Sequence, residues 1–293
     1  MSKLVTVLIP THNRADVLPF AIESVLYQTF KDFEIKIVGD GCTDNTYEVV
    51  KPYLRNSKVK WFDLPKAKYF GYANRNEILK VCNTKYIAYL AHDDLFAKDH
   101  LQNSIDILEA NATIDLVLQR ALFIDEFCNI YPSFFNLNYK DDLDAYLNLQ
   151  KTKFPSSCSI HRKRCFEKVG YLNEELKHGG DHDLNVRIIN SKDHDNFIYL
   201  NKISVFHFKA IWRERTNKSR FGVFRELMNS DKITGLEDYK QSNKMIVNEQ
   251  NTIFNLLNKD DVFINKLRYQ LLNIQDSYIS ILEKRVHELN SQF

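Results

Sequence analysis

The sequence has no surplus of either charge, no cysteine pairing and no long apolar run, and each shortage removes a class of protein. Lysine and arginine number 40 against 38 acidic residues, a net charge of +2. So even a balance leaves no footprint for a general nucleic-acid binder. The five cysteines, Cys42, Cys82, Cys128, Cys158 and Cys165, are odd in number and no two have CxxC spacing. That argues against a disulfide framework or a structural zinc site and fits a reducing compartment. No apolar stretch approaches a membrane span, and His12, Asn13 and Arg14 come too early for a signal peptide. A cytoplasmic protein is expected, with peripheral attachment at the inner face of a membrane left open. The loop after the first apolar run holds no glycine, so both the GxGxxG dinucleotide fingerprint and a Gly-rich nucleotidyltransferase loop are missing. Internal repeats and low-complexity tracts are absent as well.

What is present is an alternation of short apolar runs and helical stripes. Leu4 to Ile9 is β-branched and reads as a buried strand, ended by Pro10-Thr11-His12-Asn13-Arg14. Asp16 is a good N-cap for the helix carrying Leu18, Ala21, Ile22, Val25 and Leu26. A second strand, Glu34 to Val38, runs into the turn cluster Gly39 to Thr46, and Pro52 should shorten the helix that follows. Lys58 to Leu64 alternates as a third strand, Gly71 to Cys82 reads as a helix, and Lys85 to Leu90 is a further strand ending at Ala91-His92-Asp93-Asp94. Another helix starts near Asp99. This order predicts an α/β fold with a mostly parallel sheet and helices on both faces. Ligands of such sheets sit beyond the carboxyl ends of the strands. Pro10, Asp40 and Asp93 lie just past three of those ends, which raises a functional reading of each above that of a turn-forming residue.

The alternation stops after Gln119. Residues 126–150 are aromatic and irregular, as expected of a flap or acceptor loop. A strand enters a turn over Pro155 to Arg162, and Cys165 to Val169 forms a short helix ended by Gly170. Gly179-Gly180 precedes a helix with Asp181 near its N-terminus, an end that favours negative charge. Phe197 to Leu200 and Ile203 to Phe208 are two short strands, the second carrying His207. Beyond residue 216 glycine and proline nearly vanish, with only Gly222 and Gly235 left. There Ile264, Leu267, Leu271, Ile274, Tyr278 and Ile281 make a 3-4 seam. That tail is expected to be an amphipathic, coiled-coil-like extension that docks on the domain, pairs with a second copy or lies on a membrane.

Six segments, in order, resemble glycosyltransferase family 2. They are Val5 to Arg14, Glu23 to Phe30, Val38 to Thr46, Ala73-Asn74-Arg75-Asn76, Tyr89 to Asp94, and Gly180-Asp181-His182-Asp183-Leu184. The last three resemble that family's Ala-Arg-Asn, Asp-X-Asp and Glu-Asp-X-Asp-Leu segments. The resemblance covers roughly residues 3 to 210. It implies a GT-A fold, Rossmann-like, spanning 1–215, with a nucleotide-binding half (1–100), an acceptor half (101–215) and a C-terminal helical extension (216–293) outside it. It implies inverting transfer of a sugar from a nucleotide-diphosphate donor, most simply a UDP-sugar, to a glycan or lipid-linked glycan, in surface polysaccharide synthesis.

Carried onto this chain, the resemblance makes Asp181 the catalytic base. It places Pro10, Thr11, Asn13, Arg14, Asp40, Arg75 and Asp93 around the nucleotide, with Asp40 on the base. It gives a divalent cation, Mn²⁺ or Mg²⁺, to Asp93 and Asp94, with His207 as a third group. A plain helix N-cap competes for Asp181, a surface ion pair for Arg75 and a satisfied core histidine for His207. Lys209, Arg213, Arg215 and Lys218 are either a lid over the phosphates or a solvated charge run. His92 and His182 are not expected to be ligands. Three positions depart from the family pattern: Gly39 and Ala91 replace acids, and Gly180 replaces the glutamate before the base. They motivate the alternative of a non-catalytic sugar-nucleotide or glycan-binding module.

Overall fold

The structure, a computed structural model, describes residues 3–124, 130–133, 135–148, 154–192, 194–208 and 265. The basic stretch after His207 and the helical extension expected over 216–293 lie outside the described residues, apart from residue 265. Two compact units divide the chain: Met1–Ala121 with Phe135–His207, and Leu122–Phe134 with Phe208–Phe293. Among the described residues, no helix is long and apolar enough to cross a membrane.

The first unit is built on a parallel core. Strand β1 (Val5–Thr11) lies between β2 (Phe33–Asp40) and β4 (Tyr86–Tyr89), with β3 (Val59–Leu64) outside β2, all parallel. Burial of Val5, Val7, Leu8 and Ile9 explains the unbroken apolar run of β1, covered on both faces. Pro10 is tolerated because pairing of β1 with β4 stops at Leu8, so its missing N–H breaks no bond on that side. The chain moves outward from β1 to β3 and then returns to the other side of β1 as β4. That reversal opens a crevice at the carboxyl ends of β1, β2 and β4.

Helix α1 (Leu18–Leu26) follows β1, and Val17 rather than Asp16 is its N-cap. Asp16 instead accepts a bond from the Arg14 guanidinium at 2.8 Å, which removes it from the cap. Helix α2 (Thr46–Val50) gives way at Pro52 to a 3₁₀ turn, Lys51–Arg55, as the proline requires. Helix α3 (Tyr72–Lys80) starts after Gly71, which sits at φ 70°. Strand β5 (Leu95–Phe96) leaves β4 for the far edge of the sheet, and α4 (His100–Ala110) follows.

The described order of the sheet is β3-β2-β1-β4-β8-β6-β9-β5, with β6 at Leu116–Ile124, β8 at Ser159–Arg162 and β9 at Phe197–Phe208. Beyond β4 the pairs β4–β8, β8–β6 and β9–β5 are antiparallel. In the second unit, the end of β6 pairs with β7 (Ile130–Pro132). Two expectations fail here. The stretch 126–150 is not wholly irregular: α5 (Lys140–Leu147) occupies it, with Asp141 and Asp142 in its first turn and only Tyr146 fully buried. One anchoring aromatic leaves too thin a stripe to see in sequence. The two strands expected over 197–208 are one, because Asn201 and Lys202 continue the extended backbone at the surface instead of turning it. Two further helices, α6 (Arg164–Val169) and α7 (Gly180–Asn190), cover this part, and Gly170 ends α6 at φ 82° as expected.

Candidate active site

The loops after β1 and β2 are stitched to one another. Asn13, at φ 51°, accepts the Thr43 N–H at 2.7 Å and the Asp44 N–H at 3.3 Å through its side-chain oxygen. The Arg14 N–H donates to the Thr46 hydroxyl at 2.9 Å, and the Ala15 N–H to Asp44 at 3.3 Å. His12 Nδ1 lies 2.7 Å from the Asp40 carbonyl. Asn13 and Arg14 therefore shape this rim, while the buried Thr11 hydroxyl has no hydrogen-bond partner.

Asp40 ends β2 and is 7% exposed. Its carboxylate accepts from Lys66 Nζ at 2.6 Å, the Ala67 N–H at 2.8 Å and Asn74 Nδ2 at 2.7 Å. The carboxylate thus ties the loop after β3 to the start of α3. Gly71 is required there: a Cβ would stand 2.6 Å from Asp40 Oδ2, and the left-handed φ disfavours a side chain in any case. Asn74 lies in the Ala73-Asn74-Arg75-Asn76 segment without a role there, and Lys66 stands in no recognisable spacing; their contacts with Asp40 span 34 and 26 residues.

Arg75 stands on α3 with its guanidinium 5.1 Å from the Tyr72 ring. One of its terminal nitrogens donates to the Phe70 carbonyl at 2.8 Å, while its Nε is buried without a partner. Burial lowers its pKa, and the Asp181 and Asp40 charges both oppose that shift. Arg75 therefore stands within the field of acids from β2 and α7 rather than in a surface ion pair.

Past β4, the two adjacent acids separate in role. The Asp93 side chain is 11% exposed, with His92 Nε2 4.0 Å away. Burial pushes the His92 pKa down, with Asp93 opposing and Arg14 adding to the shift. Asp94 is fully buried: it accepts from the Ser157 hydroxyl at 2.5 Å and faces His207 Nδ1 at 2.9 Å. Ser157 also accepts the Ala91 N–H at 3.0 Å, so one hydroxyl holds both sides of the turn. Ser157 was missed because a serine in a Pro-Ser-Ser run reads as turn chemistry only.

Asp181 lies in the first turn of α7, capped by Gly179 at φ 74°. Its neighbour Asp183 is committed to Arg187, at 3.0 and 2.8 Å. No described residue donates a hydrogen bond to Asp181, which leaves it the uncommitted acid of the pair. Its charge acts on Tyr72, Arg75, Tyr89 and Tyr146. Helix α3 thus connects the two acids: Asn74 bonds Asp40, Arg75 packs on the Tyr72 ring, and Tyr72 bonds the residue before Asp181, while Asp94 is joined to His207. Among the described residues, no group of three or more His, Cys, Asp or Glu side chains forms a metal cluster.

Two of the three departures from the family pattern are packed. A Cβ at Gly39 would run into the Trp61 ring, and one at Gly180 would stand 2.8 Å from Tyr72 Cζ. Aromatic side chains have taken the room that larger residues would need.

The sequence model of glycosyl transferase family 2 matches residues 6–170. The chain belongs to glycosyl transferase family 2. An uncharacterized glycosyltransferase of Methanocaldococcus jannaschii is 30% identical over 193 residues, 64% of this chain and 64% of that one. The chondroitin synthase of Escherichia coli is 24% identical over 254 residues, 84% of this chain and 35% of the synthase. The chain spans less than two thirds of the length of these curated relatives. Among solved structures, S. aureus TarS 1-349 in complex with UDP-GlcNAc matches at TM-score 0.57 and 20% identity, over 93% of this chain and 79% of that one. The mannosyltransferase PcManGT from Pyrobaculum calidifontis, in complex with GDP-Man and Mn²⁺, matches at TM-score 0.54 and 13% identity, over 92% and 70%. At these identities the likeness is one of fold, and the fold of this family 2 member is GT-A.

Proposed function

We propose that the chain is an inverting glycosyltransferase. It moves a sugar from a nucleoside diphosphate donor, most simply a UDP-sugar, to a hydroxyl of a glycan or lipid-linked glycan. The observation that carries this is that α3, which bears Arg75, bonds Asp40 at the carboxyl end of β2 through Asn74 and the start of α7, beside Asp181, through Tyr72. Inversion is one displacement: the acceptor oxygen bonds the anomeric carbon as the bond to the diphosphate breaks, and the acceptor proton must leave. Asp181, uncommitted at the start of α7, takes that proton. Arg75 offers a buried, unpartnered Nε and a fixed positive charge to the diphosphate. Asp40 acts on the nucleotide through the loop it anchors, since its carboxylate already has three donors.

The donor set fits a hard divalent cation. Mn²⁺ or Mg²⁺ would be held by Asp93 and by His207 through Nε2, and when bound it neutralises charge on the leaving diphosphate. Such ions take one or two protein ligands and complete their shell with phosphate oxygens and water, so a full protein cluster is not needed. Asp94 orients the His207 ring through Nδ1. The ligands held in the complexes of the two structural neighbours support the donor class and the cation, and the synthase relative supports a role in polysaccharide synthesis.

The test is calorimetry with UDP-GlcNAc, UDP-glucose and GDP-mannose, with and without Mn²⁺, beside a nucleotide-release assay on oligosaccharide acceptors. Metal-dependent binding with turnover is expected. Binding of no nucleotide sugar overturns the proposal, and binding without turnover on any acceptor points instead to a non-catalytic module.

A further inference from the structure

Tyr72 is the first residue of α3, and its side chain is not exposed in the crevice but buried beneath the start of α7, 3% accessible. Its hydroxyl accepts the Gly180 N–H at 3.0 Å. Gly180 opens α7, and its N–H is one of those that no turn of the helix can satisfy. The ring blocks any side chain at residue 180, faces the Arg75 guanidinium at 5.1 Å and lies 6.4 Å from the Phe70 ring at 27°. Burial above all, with the Asp181 charge adding, pushes the phenol pKa up, so the hydroxyl keeps its proton. One side chain therefore reaches both the cation facing the diphosphate and the backbone that carries the base.

On its other side the first turn of α7 is held by His182, whose Nε2 lies 2.8 Å from the Tyr146 carbonyl and whose ring packs on Tyr146 at 4.3 Å, while Tyr72 is the described side chain that bonds the backbone preceding Asp181. Gly179 has no side chain and no side-chain cap bond closes the helix. The residue next to the Tyr72 contact is Asp181, to whose carboxylate no described residue donates a hydrogen bond. The direction of that carboxylate depends on how its two neighbours are held, Gly180 by Tyr72 and His182 by Tyr146.

We propose that Tyr72 is a positioning residue for the base: its hydroxyl, bonded to the Gly180 N–H, sets the first turn of α7 and with it the Asp181 carboxylate, in place of a side chain at position 180. The inference rests on Asp181 being the base. It predicts that the Tyr72 hydroxyl matters to turnover and not to nucleotide affinity, whereas the Tyr72 ring matters to both.

Tyr72→Phe separates these, because it keeps the ring against Gly180, Phe70 and Arg75 and removes only the oxygen. UDP release from UDP-GlcNAc with Mn²⁺ is expected to fall about 10- to 100-fold in kcat, the scale of a small misplacement of a reacting group. The Kd for UDP should stay within about twofold, and amide exchange in the first turn of α7 should quicken at an unchanged melting temperature. On an Asp181→Asn background, Tyr72→Phe should cost almost nothing more, since residues acting through one another do not add. Wild-type kcat in Tyr72→Phe, unaltered exchange at α7, a UDP Kd that weakens in step with kcat, or full additivity with Asp181→Asn would each overturn the inference. Unimpaired turnover by Asp181→Asn alone removes the base assignment instead. No turnover by the wild type removes the proposed activity, while amide exchange still reads the hold of Tyr72 on α7 without any substrate.

Discussion

The crevice has two sides of opposite character. On the β1–β3 side, polar groups are spent on one another: Asn13 on Thr43 and Asp44, Arg14 on Thr46, and Asp40 on Lys66, Ala67 and Asn74. On the β4–α7 side, no described residue donates a hydrogen bond to Asp181, and among the described residues Arg75 Nε has no acceptor. The division has two exceptions: the Thr11 hydroxyl is unpartnered on the first side, and Asp94 has two partners on the second. Groups already bonded to one another are ordered before anything binds, whereas polar groups left without protein partners in a cleft are where a ligand can complete them.

Four changes would break or sharpen that contrast. Asp181→Asn strikes the unsatisfied side at its centre. Transfer should fall about 10²- to 10⁴-fold, the usual worth of a general base, with UDP affinity within about twofold; steady-state rates and calorimetry check both. Ser157→Ala frees the buried Asp94 from one of its two anchors and lets His207 drift. The Mn²⁺ concentration for half-maximal turnover should rise about 10- to 100-fold, as when an outer-shell partner of a metal ligand is lost. Asp40→Asn strikes the self-satisfied side. An amide cannot serve the Lys66 ammonium and two N–H donors together, so UDP should bind about tenfold more weakly, near the worth of one charged hydrogen bond. A UDP Kd unaltered by Asp40→Asn would show that the loop does not depend on its anchor.

The smallest effect concerns acid. The buried histidines with depressed pKa values all belong to β4 and beyond: burial lowers His92, holds His161 down at about 4 and His100 at about 3. Each is neutral in the folded chain and readily protonated when unfolded, so the unfolded state binds more protons in acid. Their contribution to stability is whole above about pH 6.5 and is lost as pH falls from there toward 4. Between pH 7.5 and 5.5 the melting temperature should drop by a few degrees, and amide protection should fail in α7 and α4 before β1 and β2. His161→Gln should reduce the drop.

Much of this was legible from residue order. The strands β1 to β4 announce themselves through β-branched runs, and Asp40 and Asp93 stand where a parallel sheet exposes its strand ends. What could not be read is partnership at a distance. Asp94 looked like a second metal acid beside Asp93, yet full burial and two anchors, Ser157 and His207, make it a support for the histidine. Gly39 and Gly180 looked like losses, and only packing shows Trp61 and Tyr72 in the vacated space. The helix α5 rests on a single buried aromatic, too little for periodicity to reveal. Asp16 was assigned to a cap on propensity, but an arginine two residues away competes for it.

The bond between Asp94 and His207 joins residues 113 apart in sequence, whereas the parallel pairs among β1, β2, β3 and β4 are complete by Tyr89. A chain emerging from the ribosome can therefore assemble its nucleotide cradle well before β9 is made, since folding proceeds from the N-terminus during synthesis. On the proposed roles, the histidine assigned to the cation is made last. A chain truncated before residue 207 is then expected to bind UDP without turning over a UDP-sugar.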